Sequence, residues 1–412
     1  MTFGLAGVNI FYMKANKWLL LFLAVCLVFS LAACGGGGGG SASGDDPAGG
    51  GNGNNGGGNN GGGNGGGSSA PAGPWLCFTA LAAGSTVSTT NQGGTVANTP
   101  SLEYSTDGET WEPFDLNTSD DATNTKVTLA NAGDKVYLRA TGTNDSFSEN
   151  VKYIYFKMTG SISASGNIMS LLDKTCTSKV IPSNHCFKYL FKNCSQLSSA
   201  PELPATTLTD SCYRNMFNNC TGLTTAPDLP AMTLANNCYE YMFAHCTNLT
   251  TAPDLPATTL ANSCYEHMFY DCSSLTTVPV SLPATTLAMG CYTSMFSGCS
   301  SLTTAPELPA ITLASYCYSG MFFGCSALTI APTLPATYSG LASDCYSYMF
   351  SGCSNLSSIT VHFTDWDGAT DATSFWVYGV APSGEFHCPG ALPDEVSAND
   401  KKPSGWMKVP LP

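Results

Sequence analysis

The residues of this 412-residue chain that could do chemistry are nineteen cysteines, five histidines and scattered carboxylates. Zinc would need clustered Cys and His ligands at short fixed spacings. The chain has no Cys-x-x-Cys pair, and His185, His245, His267, His362 and His387 share no common repeat position. His245 next to Cys246 has the composition of a base and nucleophile. In a chain whose repeats each carry two cysteines eight residues apart, that adjacency reads as an accident of the pattern rather than an activated thiol. No phosphate-binding loop, nucleophile elbow or paired-carboxylate motif is present, and Asp365, Asp367 and Asp371 read as a solvated loop. The expectation is a chain without catalytic residues, metal ligands or cofactor.

Redox chemistry is the remaining use for the cysteines. Setting aside Cys26 and Cys34, for reasons given below, leaves seventeen, an odd number, so at least one thiol stays unpaired in a monomer. The two cysteines of one unit lie eight residues apart, as in Cys212 and Cys220. In a helical segment that separation is about 12 Å, beyond the roughly 7 Å reach of a disulfide. Equivalent cysteines of stacked units, about 4.8 Å apart, could pair. The reading preferred here is free buried thiols acting as small hydrophobes, with inter-unit disulfides as the alternative.

What positions these cysteines is a repeat. Aligning on the first cysteine gives Cys186, Cys212, Cys238, Cys264, Cys291, Cys317 and Cys345, a period of 26 residues with one unit of 27 and one of 28. A period of this size means stacked coils. A phenylalanine column runs Phe191, Phe217, Phe243, Phe269, Phe296, Phe322, Phe350, with Met before each except Leu190. In the second unit Cys212, Tyr213, Met216, Phe217, Cys220 and Leu223 fall at spacings of one, three and four, which predicts a short helical face. Leu223 to Ala226 predicts a short parallel strand that Pro227 and Pro230 terminate, because proline donates no ladder hydrogen bond. A second extended piece is expected at 231–234. Six buried side chains offer roughly 9 to 18 kcal/mol, less than the 26 to 50 kcal/mol or so of backbone entropy lost on ordering 26 residues. One unit cannot fold alone, so stability must come from neighbours.

The Met-Phe-x-x-Cys-x-x-Leu units resemble those of BspA-like leucine-rich-repeat surface proteins, over all seven units. The resemblance implies a non-enzymatic leucine-rich-repeat solenoid of seven coils over 186–358, used for adhesion to host matrix proteins or other cells. The Ala-Pro-x-Leu-Pro insertion departs from the usual repeat.

The N-terminus carries an address. Met13-Lys14-Ala15-Asn16-Lys17 is a basic region, Trp18 to Ser30 an apolar run, and Leu31-Ala32-Ala33-Cys34 follows. The run is shorter than the roughly 20 residues of a membrane span. Leu-Ala-Ala-Cys resembles the lipobox of bacterial lipoproteins, which implies cleavage after residue 33 and lipidation of Cys34. Residues 1–12 fit no signal region, so the expected translation start is Met13. Residues 34–74 are nearly all Gly, Asn, Ser and Ala, a disordered tether spanning roughly 30 to 40 Å. The expected location is the outer membrane, lipid-anchored and surface-exposed. Net charge is −14; loss of residues 1–33 removes Lys14 and Lys17 and no acid, giving −16. That balance disfavours nucleic acid and anionic lipid as partners of the folded part.

Residues 75–158 alternate in short runs at 76–80, 101–105, 126–129, 135–140 and 153–158, separated by turn signals such as Asp107-Gly108. This predicts a small β-sandwich, and the stretch Leu102 to Phe114 resembles an immunoglobulin-like module of bacterial surface proteins. Trp111, Tyr104 and Phe114 serve hairpin packing or, in the alternative, line a glycan. Residues 159–185 and 359–412 are expected to cap the two ends of the stack, with Trp366, Trp376 and Trp406 in the second cap. The overall expectation is a mainly β chain with short helical turns, binding proteins of the matrix or cell surface. The alternatives are glycan capture for nutrient uptake and a passive spacer.

Overall fold

β1 (Leu76–Ala80) turns Leu76, Phe78 and Ala80 inward, and both of its edges are paired. The computed structural model describes residues 74–116, 125–366, 371–396 and 399–412; the expected signal segment 1–33, the tether and Cys34 lie outside the described residues. Beyond β1 the chain forms β2 (Ser85–Gln92), β3 (Leu102–Ser105), β4 (Glu112–Phe114), β5 (Val127–Leu129), β6 (Lys135–Ala140), β7 (Tyr153–Thr159) and β8 (Ile162–Ser165). Two antiparallel sheets result, in the orders β4-β3-β6-β1-β8 and β5-β2-β7. Phe78, Val136 and Leu138 of one and Val87, Ile154 and Phe156 of the other enter the same core. Each of the five alternating runs read from the sequence contains a strand. β2, written Ser-Thr-Val-Ser-Thr-Thr-Asn-Gln, escaped that reading because its buried positions include Ser85, Thr86 and Thr89 rather than apolar residues.

The strands β7 and β8 join this half to the repeats without a break. β8 pairs antiparallel with β1, with Phe78 opposite Ala164. On its other edge it forms a parallel bridge from Ile162 to Leu197 of the first unit, with Ser198 N–H donating to Ile162 O at 2.8 Å. β7 does the same for the other wall: Phe156 N–H donates to Leu190 O at 2.8 Å, and the Phe156 ring stacks on Phe191 at 5.1 Å. The span 159–185 therefore holds β8 and a single 3-10 turn, Ile168–Leu171, whose first turn is capped by the Asn167 side chain. All described residues lie in one compact unit.

The wall between the cysteines of a unit is not helical. In the second unit the N–H groups of residues 212, 214, 216, 218 and 220 bond three residues back, whereas those of 211, 213, 215, 217 and 219 donate to the next unit, as Tyr213 N to Cys238 O at 3.0 Å and Phe217 N to Met242 O at 2.9 Å. Ser211, Asn215 and Asn219 have φ of 57°, 57° and 60°. The segment is a ribbon of overlapping β-turns that repeats every four residues, with a left-handed residue in each repeat. This corrects the expected helical turns: among the described residues the only helical pieces are the 3-10 turns Ile168–Leu171 and Tyr338–Gly340. An α-helix keeps its N–H groups inside the segment; the ribbon exports every second one and so bonds unit to unit. A four-residue repeat places side chains inward at nearly the spacing of a 3.6-residue helix, which is why the apolar pattern imitates one.

Inside the ribbon, rings stack in register. Phe191, Phe217, Phe243 and Phe269 have successive centroid distances of 5.2, 5.5 and 5.6 Å and interplanar angles of 2°, 1° and 6°, the offset-stacked range for aromatic pairs. A parallel tyrosine column from Tyr213 to Tyr346 keeps steps of 5.6 to 6.1 Å. On the other walls the units meet through single parallel bridges such as Thr225 to Thr251, Thr251 to Thr277 and Thr233 to Thr259. Prolines on both sides of these points keep the pairing from lengthening into strands. Continuous strands return after the last unit, where β9 (Ser358–Thr360), β10 (Glu385–Cys388) and β11 (Met407–Pro410) pair in parallel. Trp376, fully buried, meets Phe350, Tyr346 and the buried Trp366, and Trp406, also buried, donates its indole N–H to Ala381 O at 2.7 Å.

Candidate functional site

The left-handed positions of the ribbon form columns on its outer side. One column reads Asn215, Tyr241, His267, Ser294, Gly320, Tyr348. Such backbone suits Gly and Asn; for Tyr and His it costs on the order of 1 kcal/mol, so Tyr241 and His267 sit against local preference. The next residue inward, in the same order, is Arg214, Glu240, Glu266, Thr293, Ser319 and Ser347. These are the pairs between the fixed Tyr and Met that differ from unit to unit.

In units two to four the pairs build a charged and aromatic cluster. Arg214 Nη2 lies 2.7 Å from Glu240 Oε1, and Asn237 Nδ2 donates to Glu240 Oε2 at 2.6 Å. Glu240 is buried, and burial raises its carboxyl above the usual range against the opposing pull of Arg214. The Tyr241 and His267 rings stack at 4.3 Å and 4°. His267 Nδ1 is 3.4 Å from Glu266 Oε1, an ionic contact when the imidazole is charged rather than a well-formed hydrogen bond. His245 Nδ1 is 3.4 Å from Asp271 Oδ2, and burial raises the Asp271 carboxyl while His245 lowers it. In the first unit, Lys188 donates to Asn150 O at 2.8 Å, and burial with Arg214 nearby brings its ammonium down to about 8. The arrangement offers charge, hydrogen bonding and ring faces to a partner. Its histidines face carboxylates and the rings of Tyr241 and Tyr270.

The residues singled out in the sequence are distributed as follows. Cys246 is buried, its thiol donates to Phe217 O at 3.2 Å, and burial pushes it up to about 12, so it is no partner for His245 on the outer side. All seventeen cysteines of the described residues are free, and only Cys176 is not buried. Among the described residues no group of three or more His, Cys, Asp or Glu is placed to hold a metal ion. Phe114 is buried, Tyr104 donates to Glu112 at 2.8 Å, and Trp111 meets Trp75 edge-on at 4.9 Å. The Arg139 guanidinium lies 3.6 Å from the Trp111 centroid and pairs with Glu103 at 2.6 Å. This cluster at Trp75 and Arg139 was not read from the sequence, because Glu103 and Arg139 come from two different strands and Trp75 and Trp111 from the residues just before β1 and β4.

A solved leucine-rich repeat protein from Bacteroides ovatus is 15% identical, with 66% of this chain and 86% of that chain covered and a TM-score of 0.24. No curated protein matches the chain. The family model described as BspA type leucine rich repeat region matches residues 175–303 and 292–365, in six copies. Repeats of this family are generally protein-binding and typically non-enzymatic. Residues 175–365, just under half of the chain, are thus similar to the BspA type leucine-rich-repeat region.

Proposed function

We propose that this chain is a non-enzymatic lipoprotein, anchored through Cys34 at the outer membrane and exposed at the surface, whose repeats form a seven-coil solenoid that binds proteins of a host matrix or of other cells. An immunoglobulin-like sandwich at its base and the tether hold the stack clear of the lipid. The observation that carries this reading is the contrast across the ribbon. Inward, Tyr, Met, Phe and Cys repeat almost without change and are buried; the pairs between them, Arg214-Asn215, Glu240-Tyr241, Glu266-His267 and Thr293-Ser294, change at each step. A frame held constant for stacking leaves these positions free to vary with a partner. The test is a panel of matrix proteins and a glycan array probed with the full chain, alongside protease treatment of intact cells. Expected are protein binding, weakened by Tyr241→Ala and His267→Ala together, and proteolytic removal from cells. Glycan binding without protein binding would overturn the reading, as would protection of the chain in intact cells.

A further inference from the structure

Along the Ala-Pro-x-Leu-Pro stretches the surface of the stack is hollowed. One open hollow of about 490 Å³ lies between the first two units, lined by Pro201, Glu202, Pro204, Pro227, Asp228 and Pro230. A second, of about 310 Å³, repeats the same positions further along, with Pro306, Glu307, Pro309, Pro332 and Pro335. Two hollows built by equivalent residues in separate parts of the stack mark a feature of the repeat rather than a packing fault.

The variable residue of this stretch is Glu202, Asp228, Asp254, Val280, Glu307 and Thr333 in successive units. The four carboxylates are exposed, have no ion-pair partner among the described residues, and no basic side chain lines either hollow. Leu203, Leu229, Leu255 and Leu308, two places from the first proline, are buried, as are the first prolines Pro201, Pro253 and Pro306, so these hold the wall while the second prolines Pro204, Pro230 and Pro309 and the carboxylates reach the surface. The result is a trough with rigid apolar sides and one sign of charge. At one unit per roughly 5 Å, Glu202 to Glu307 spans on the order of 20 Å, the length of about six residues of extended chain.

We infer that this trough binds an extended polypeptide segment bearing lysine or arginine. Proline rings accept the aliphatic stems and the carboxylates meet the charged heads, as long basic side chains require. Charge complementarity selects the occupant: the chain carries a net −14, which attracts basic and repels acidic segments. The inference rests on the protein-binding reading above and names a partner chemistry and a second face for it.

The probe is a short fluorescein-labelled peptide alternating lysine and alanine, followed by fluorescence anisotropy with the full chain. The variant joins Glu202→Gln, Asp228→Asn, Asp254→Asn and Glu307→Gln; a charge-matched control joins Glu109→Gln, Asp115→Asn, Glu149→Gln and Asp394→Asn. Thermal melts confirm that both remain folded. Expected is binding that weakens with salt, weakens roughly tenfold or more in the trough variant, and is unchanged in the control. Lysine-acetylated peptide should not bind. Equal loss in both variants, or no binding by the unmodified chain, overturns the trough. Spermine binding as tightly as the peptide overturns it in favour of a simple cation surface. In each overturning case a matrix protein still bound by the trough variant leaves the broader function intact, so the two failures are distinguishable.

Discussion

Cys246 donates its thiol proton to the carbonyl oxygen of Phe217, one unit back, at 3.2 Å, and the same bond recurs as Cys220 to Phe191, Cys272 to Phe243, Cys299 to Phe269, Cys325 to Phe296 and Cys353 to Phe322, all between 3.0 and 3.2 Å. The bond explains a column of cysteine where alanine or valine would also fill space. Each Phe carbonyl already accepts the N–H of its own unit's cysteine, as Cys220 N to Phe217 O at 3.0 Å, and the thiol adds a second, weak donor from the next. Cys246→Ala should cost about 1 to 2 kcal/mol through lost sulfur volume and the vacated carbonyl. Urea unfolding would read this, and a neutral result would mean the thiol contributes nothing beyond space.

The same thiols make the fold sensitive to alkali. Burial raises Cys194, Cys212, Cys246, Cys264 and Cys353 from 9.0 to about 12. Their folded values lie above the unfolded ones, so their contribution is fully present below pH 9 and is lost as pH rises from 9 toward 12. Each such thiol removes about 1.4 kcal/mol per pH unit in that window, and several together exceed a typical stability of about 5 to 15 kcal/mol. Circular dichroism under reducing conditions should show cooperative unfolding between about pH 9 and 11, and Cys→Ala changes in three units should move the midpoint upward. A midpoint that does not respond to those changes would falsify the linkage.

Alkylation separates the exposed thiol from the rest. Cys176 is the only described cysteine that is not buried, and burial with nearby Asp173 pushes it up to about 11. At neutral pH iodoacetamide should label Cys176 slowly and the repeat cysteines only after denaturation. Rapid labelling of Cys246 in the folded chain would contradict the packing described for the column.

Phe243 stacks between Phe217 and Phe269 at 5.5 and 5.6 Å and is fully buried. Phe243→Ala should cost about 3 to 5 kcal/mol. Because each unit leans on its neighbours, hydrogen exchange should rise first in the adjoining units rather than uniformly.

Gly298 has φ of 77°, and a Cβ there would collide with the Asp271 carboxylate of the preceding unit. Gly298→Ala should destabilise by about 1 to 2 kcal/mol from the backbone alone, whereas Asp271→Ala in the same chain should recover the steric part. A double-mutant cycle by thermal melting checks this, and strict additivity would show that the contact is absent.

The sequence by itself determined the period, the membership of the buried columns and the place where strands must stop. Cys212, Tyr213, Met216 and Phe217 were legible as core because apolar burial follows residue type and spacing. The prolines were legible as breaks because a missing N–H is a local property. Tertiary structure alone decided whether that spacing meant a helix or a turn ribbon. Inward spacings of one, three and four satisfy both, and the choice turns on whether Tyr213 N–H bonds within its unit or reaches Cys238 O in the next. Asn215 and Asn219, four apart at positions where later units carry Gly320 and Gly324, were a trace of the left-handed backbone in the sequence. The pairing of Arg214 with Glu240 and the stacking of Tyr241 on His267 were invisible there, because their members lie 26 residues apart and meet only when units stack. Apolar patterning is written in single segments, whereas polar contacts between units depend on register, which only the assembled stack supplies.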